Sequence, residues 1–335
     1  MFRRIKKQII QALSSGNKSI YELMASQDAS ISEFFYVLKE MKDEGIISIK
    51  KGIVSLLNDR PNRYVGVQYE GKCRVCDGTG YSIHGYERIL EKFKDIIKNR
   101  PNCIEEYDQG AMSVEDVVRR VAFIHERGDL LDASILVMGD DDLFSIAASL
   151  TELPKEVFVL DVDDRIISFL KNVADERGLP IKAMKYDVRD PIPYELKNKF
   201  DVFITDPVET LPGIGLFLSR AVSALNGMGS SGYFGLTTHE ATRKKWYEIQ
   251  KILHNMGFVI TDIRRRFSIY PQEGKLFFDF SKIIEDIVPL DTEWYSSSFL
   301  RIEAIKEPKP IYDGRVDIGN ELYEDEESSI PDIRL

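Results

Sequence analysis

The sequence predicts an α/β protein in which a doubly wound, Rossmann-like sheet follows a small N-terminal module of helices and a hairpin. Three observations predict it. From about residue 113, short apolar runs alternate with amphipathic stretches, the rhythm of strands and helices laid in turn. The early runs are apolar at nearly every position, as strands covered on both faces are. Residues 1–60 keep a different rhythm, with helical spacing first and two short β-like runs last.

In chain order, Ile5, Ile9, Ile10 and Leu13 recur at helical spacing until Ser14-Ser15-Gly16 stops them. A second short helix follows from Ser19 to Met24, and a third carries Phe34, Phe35, Leu38 and Met41 up to Gly45. Ile46–Ile49 and Ile53–Leu57, joined by Lys50-Lys51-Gly52, read as a tight hairpin. Three helices and a hairpin make residues 1–60 a winged-helix-like domain. A DNA reader would set its third helix in the major groove. Here that helix carries Glu33, Lys39, Glu40, Lys42, Asp43 and Glu44 with no excess of Lys or Arg, which favours a packing or dimerisation module.

Residues 61–112 form a connector containing CRVCDGTG, in which Cys73 and Cys76 have the spacing of half a zinc site. Cys103 and His84 are the candidates to complete it, but a turn on Gly78 and Gly80 with two reduced thiols is the simpler account, and no metal is expected. The catalytic domain then spans 113–310, with strands expected at 134–138, 156–161, 181–186, 200–205, 232–237, 257–263 and 298–305. Helices are expected at about 143–150, 165–177, 212–225 and 241–255. Residues 311–335 are polar and acidic and read as a flexible tail. An arm closing over a polycation is the functional alternative.

The 335 residues include 55 Asp and Glu against 45 Lys and Arg, a formal net charge of -10, so nucleic acid is an unsuitable partner for the whole molecule. No apolar run approaches the ~20 residues of a membrane-spanning helix, so no membrane partner is expected. MFRRIKKQIIQALSSG lacks the apolar core of a secretory signal, and three unevenly spaced cysteines suit a reducing compartment. A cytoplasmic address is expected.

Four of the early strands run into carboxylates: Gly139-Asp140-Asp141-Asp142, Asp161-Val162-Asp163, Asp187, and Asp206-Pro207-Val208-Glu209. Any one is ordinary turn or cap chemistry. Four on the edge where such sheets bind ligands point to a site. Asp161 is placed to accept from ribose hydroxyls and Asp187 from the exocyclic amine of adenine. No GxGxxG follows the first strand, and three aspartates there would repel a pyrophosphate, which disfavours nicotinamide dinucleotides and ATP. An adenosine ligand bearing a sulfonium fits. The same aspartates would repel the carboxylate of S-adenosylmethionine yet attract the ammonium of its decarboxylated form. Two charges 4 Å apart interact by about 4 kcal/mol at an effective dielectric of 20, enough to discriminate between ligands of opposite charge. Asp206 and Glu209 opposite predict a cationic acceptor, for which polyamines are the natural candidates.

Together ILVMGDDDLFSIAASL, VLDVDDRII, FDVFITDPVETL, SSGYFGLTTHEAT and CRVCDGTG resemble the N(4)-bis(aminopropyl)spermidine synthases, the branched-chain polyamine synthases of thermophilic archaea and bacteria. The resemblance runs over nearly the whole chain. Val208 stands where the family usually has a second proline. The resemblance implies the methyltransferase and aminopropyltransferase type of sheet, in a cytoplasmic aminopropyltransferase. Decarboxylated S-adenosylmethionine serves as co-substrate, with no tightly bound cofactor. Spermidine or a longer polyamine is the acceptor, and 5′-methylthioadenosine is released.

By similarity to the linear spermidine synthases, Asp142 faces the transferred group, Asp206 takes the general-base position and Glu209 is the second acid. Gly139, Asp140, Asp141, Asp161, Val162, Asp163 and Asp187 would then bind the donor. Glu240, and Asp108 within Tyr107-Asp108-Gln109-Gly110, would hold the acceptor. A homodimer is the expected assembly. The alternatives are a methyltransferase, because DPV is similar to the D/N-P-P-Y loop but lacks its aromatic, and a winged-helix regulator sensing a nucleoside.

Overall fold

The structure is a computed structural model that describes residues 3–57, 73, 75–76, 78–271, 278–288, 293–327 and 331–335. Most of the first part of the expected connector, residues 61–72 with Arg74 and Asp77, lies outside the described residues.

The N-terminal unit runs α1 (Arg3–Leu13), β1 (Lys18–Ser19), α2 (Ile20–Ser26), α3 (Ile31–Asp43), β2 (Ile47–Lys50) and β3 (Ile53–Leu56). Two capping boxes start its helices. Ser19 and Ser30 each accept from the backbone N–H three residues on, and Glu22 and Glu33 return the bond. The three strands form an antiparallel sheet in the order β1-β3-β2. The core of this unit is shared, because Phe280, Ile283, Ile284 and Trp294 from far along the chain complete it. A second tie is polar, where the Ile31 N–H donates to the carbonyl of His239 at 2.7 Å.

The larger unit follows as α4 (Glu87–Ile96), α5 (Val114–Glu126), β4 (Ser134–Met138), α6 (Phe144–Ser149), β5 (Glu156–Asp161), α7 (Asp164–Arg177) and β6 (Ile181–Lys185). It ends with β7 (Val202–Thr205), α8 (Leu211–Ala224), β8 (Ser231–Thr237), α9 (Arg243–Asn255), β9 (Phe258–Ile269) and β10 (Ser296–Ala304). Its sheet has seven strands in the order β6-β5-β4-β7-β8-β10-β9. The strands from β6 to β8 are parallel, whereas β10 is antiparallel to both neighbours, so the wholly parallel sheet expected from the alternation is a mixed one. The connection accounts for it: among the described residues between β9 and β10 the one helical piece is a short 3-10 turn at Phe280–Lys282, and no α-helical crossover is found there.

Along β4, Ile135 and Val137 point into one core with α5, α6 and α7, while Leu136 and Met138 point into the other with α8 and α9. Both faces are thus buried, and only the strand ends remain for chemistry.

The tail, expected to be flexible and solvated, is laid along the larger unit instead. Arg220, fully buried in α8, donates to the carbonyls of Tyr312 and Gly314, and Val316 N donates to Arg189 O. Thr210 Oγ1 donates to Leu322 O at 2.8 Å, and Glu327 accepts from both N and Oγ1 of Thr242. Polar groups that must be satisfied hold this segment, so counting apolar residues misses it.

Candidate functional site

A cavity of about 390 Å³ opens at the carboxyl ends of the parallel strands, within the size range of small-molecule sites. Nine of its lining residues are Asp or Glu, so an anionic ligand is disfavoured before any single contact is considered.

The loop after β4 turns on Gly139, whose φ of 72° suits a residue without Cβ, and on Leu143 at φ 58°. Its three aspartates have separate roles. Asp140 is buried and folds back to accept from N and Oγ of Ser145, capping α6. It does not line the cavity, which corrects its expected place against the donor. Asp141 accepts from Gly110 N at 3.0 Å and Asp142 from Met112 N at 2.6 Å, so both draw the 108–112 segment over the loop. Burial raises the Asp141 carboxyl to about 6, helped by Asp161 and Asp206. Asp142 is pushed well above the usual range by burial and by Asp141 and Asp206, with Arg120 opposing.

After β5, Asp161 accepts from Asp140 N at 2.9 Å and Asp163 N at 2.8 Å, which fixes the carboxylate at the cavity wall beside Val162. Asp163, also expected to touch the donor, turns away. It caps α7 through Arg165 N, pairs with the Arg165 guanidinium and accepts from Gln109, whose bonds hold it near 2 despite burial. After β6, Asp187 lines the cavity, and its bidentate pair with Arg189 lowers its pKa.

On the far side, Asp206 follows β7. Its Oδ2 accepts from Arg120 at 2.8 Å and from the Tyr270 hydroxyl at 2.9 Å, while Oδ1 is buried without a partner among the described residues. Gly235 of β8 makes room for it, because a Cβ there would stand 2.0 Å from Oδ1. Glu209 accepts from N and Oγ1 of Thr237, both at 2.6 Å, and burial beside Glu240 raises it to about 8. Glu240 accepts from the Tyr295 hydroxyl, and burial raises it too. Asp108, at φ 54°, closes the near rim and Tyr323 of the tail another edge.

The structure therefore brings together Gly139, Asp141, Asp142, Asp161, Val162, Asp187, Asp206, Glu209, Glu240 and Asp108, and excludes Asp140 and Asp163. Sequence reasoning missed Arg120, Tyr270 and Tyr295. Arg120 did carry a signal, as a charge in the apolar stripe Val117, Val121, Ile124 of α5, while the tyrosines carried none. Cys76 Sγ accepts from Gly80 N, and among the described residues no three His, Cys, Asp or Glu are grouped to hold a metal. Nor is any described helix long and apolar enough to cross a membrane.

The profile of the C-terminal domain of branched-chain polyamine synthase A matches residues 88–330. The chain is 39% identical over 304 residues to the N(4)-bis(aminopropyl)spermidine synthase of Methanocaldococcus jannaschii, covering 88% of this chain and 85% of that protein. It is 40% identical over 268 residues to the enzyme of that name from Thermococcus kodakarensis, covering 79% and 76%. Among solved structures it is similar to the branched-chain polyamine synthase of Thermus thermophilus in complex with N4-aminopropylspermidine and 5′-methylthioadenosine. There the identity is 32%, the TM-score 0.85, and the coverage 97% of this chain and 92% of that one.

Proposed function

The chain belongs to the branched-chain polyamine synthase family, and from that premise we propose how its cleft performs the reaction. It is an aminopropyltransferase. It moves the aminopropyl group of decarboxylated S-adenosylmethionine onto the secondary amine of spermidine, and onward to the branched quaternary polyamine, releasing 5′-methylthioadenosine. The observation that carries this reading is the run of carboxylates around one cavity.

The adenosine end of the donor lies along β5 and β6, with Asp161 toward the ribose and Asp187 toward adenine. Gly139, Asp141 and Val162 complete that wall. The donor's ammonium lies against Asp141 and Asp142, where the carboxylate of S-adenosylmethionine would be repelled. The acceptor enters from the side of Asp108, Glu209 and Glu240, whose carboxylates hold its outer ammonium groups.

The attacking nitrogen must first lose its proton, since polyamine amines are mostly protonated at neutral pH. Asp142 is the proton acceptor. Its raised pKa and its place in the cavity support that role over Asp206, which is already engaged by Arg120 and Tyr270. The nitrogen lone pair then forms a bond to the propyl carbon as the carbon–sulfur bond breaks. Its electrons return to sulfur, and a neutral thioether leaves. Asp206, held in place by Arg120 and Tyr270, lies beside the ammonium that develops on nitrogen.

The N-terminal unit is a winged-helix-like packing module, a reading supported by its element order and by the core it shares with Phe280 and Trp294. Tyr36, Ile53 and Leu57, which it leaves exposed, support a homodimer. Three free cysteines support a cytoplasmic setting.

The test is to incubate the protein with spermidine and either sulfonium donor and to weigh the products. Added aminopropyl units with decarboxylated S-adenosylmethionine support the reading. An added methyl group with S-adenosylmethionine overturns it.

A further inference from the structure

Lys245 is among the most deeply buried cations in the structure, 2% exposed in the first turn of α9. A lysine there opposes the helix dipole and forfeits hydration, so its partners must compensate. They come from three separate segments. Nζ donates to the carbonyl of Glu209 at 2.9 Å and to the carbonyl of Glu240 at 2.8 Å, and it pairs with Asp325 of the tail at 2.7 Å. Glu327 stands farther off at 3.9 Å and occupies the helix N-terminus through Thr242. One ammonium therefore spends its hydrogen bonds on the backbone of the two residues whose side chains form the acceptor wall.

We infer that Lys245 is a positioning residue for polyamine binding: it clamps the loops after β7 and β8 so that Glu209 and Glu240 face the cavity together, and its positive charge offsets the repulsion between them. This rests on the acceptor reading above.

Geometry and charge agree. Glu209 and Glu240 repel each other, and without a cation beneath them the relaxed arrangement moves the loops apart. Glu209 faces Thr237, Glu240 and Lys245. Glu240 faces Glu209, Tyr295, Lys245, Asp325 and Asp108. Only Lys245 among these brings positive charge, and it lowers the pKa of both carboxyls. Asp325 acts the other way on Glu240.

Lys245→Met is therefore expected to raise the KM for spermidine tenfold or more. It should move the acid limb of kcat/KM for spermidine to higher pH, while 5′-methylthioadenosine binding stays within twofold. Lys245→Arg should recover part of the loss. Asp325→Asn, at a more open position, should move the same limb to lower pH, and this second variant decides the matter if Lys245→Met does not fold. An unchanged spermidine KM and limb in folded Lys245→Met overturns the inference, as does an equal loss of methylthioadenosine binding. An Asp325→Asn limb that stays put or rises also overturns it. Wild-type protein that transfers nothing to spermidine overturns the acceptor reading itself, and that result is seen before any variant is compared.

Discussion

The buried guanidinium of Arg120 lies 2.8 Å from Asp206 Oδ2 and stacks over the ring of Phe299, so this carboxylate of the cavity lining is anchored by a charge that solvent does not reach. Ser268 and the Tyr270 hydroxyl take further donors of the same group. Replacing Asp206 by Asn keeps the shape and strands the cation. Breaking a buried pair from one side is expected to cost about 3 kcal/mol of stability. Denaturant unfolding measures it, and a loss below about 1 kcal/mol would show that water reaches Arg120.

Asp142→Asn removes the proposed proton acceptor but keeps the Met112 N–H bond within reach of an amide oxygen. Methylthioadenosine release from spermidine and the donor is expected to fall by roughly 10²- to 10⁴-fold, with unfolding unchanged. Turnover near that of the wild type would remove Asp142 from the mechanism.

Gly235→Ala tests the fit around Asp206, because the new methyl would stand 2.9 Å from Cγ and closer still to Oδ1. Asp206 must shift, and a misplacement on the order of 1 Å is expected to lower kcat by about 10²-fold. Since Gly235 is not at positive φ, backbone strain does not contribute. Full activity in a folded Gly235→Ala would show that the position of Asp206 is not critical.

The pH dependence follows from the raised carboxyls. Glu209 moves from 4.5 to about 8 and Asp141 from 3.8 to about 6, so the folded protein holds protons that the unfolded chain has released. Their contribution to stability is complete below about pH 4 and is lost as pH rises toward 8. The free protein should therefore melt at progressively lower temperature across that window. Bound spermidine with methylthioadenosine prefers the ionised cleft, so the ligand-induced gain in Tm should be larger at pH 8.5 than at pH 6. The opposite order in calorimetry would contradict the raised values.

The sheet and the strand-end carboxylates were legible because both follow from simple periodicities: apolar runs for buried strands and loops at one edge for ligands. Asp140 and Asp163 show where that reading ends. They share the loops of Asp142 and Asp161, yet their side chains cap α6 and α7, and a sequence does not show which way a loop residue turns. β10 looked like its neighbours because strand direction depends on the connection. The tail was misread for a different reason. Its attachment rests on the hydrogen-bonding demands of Arg220, Thr210 and Thr242, each distant in sequence.

The carboxylates of the cleft also differ in how they meet dissolved salt. Glu106 and Asp108 stand exposed at the mouth, where at physiological ionic strength a charge is felt over only about 8 Å, whereas Asp142 lies in the walled interior, beyond the reach of most counter-ions. Added salt should therefore slow the arrival of a polycation at the mouth while leaving its departure from the interior nearly unaltered. The same surplus of negative charge acts as a lure at the entrance and as a grip within.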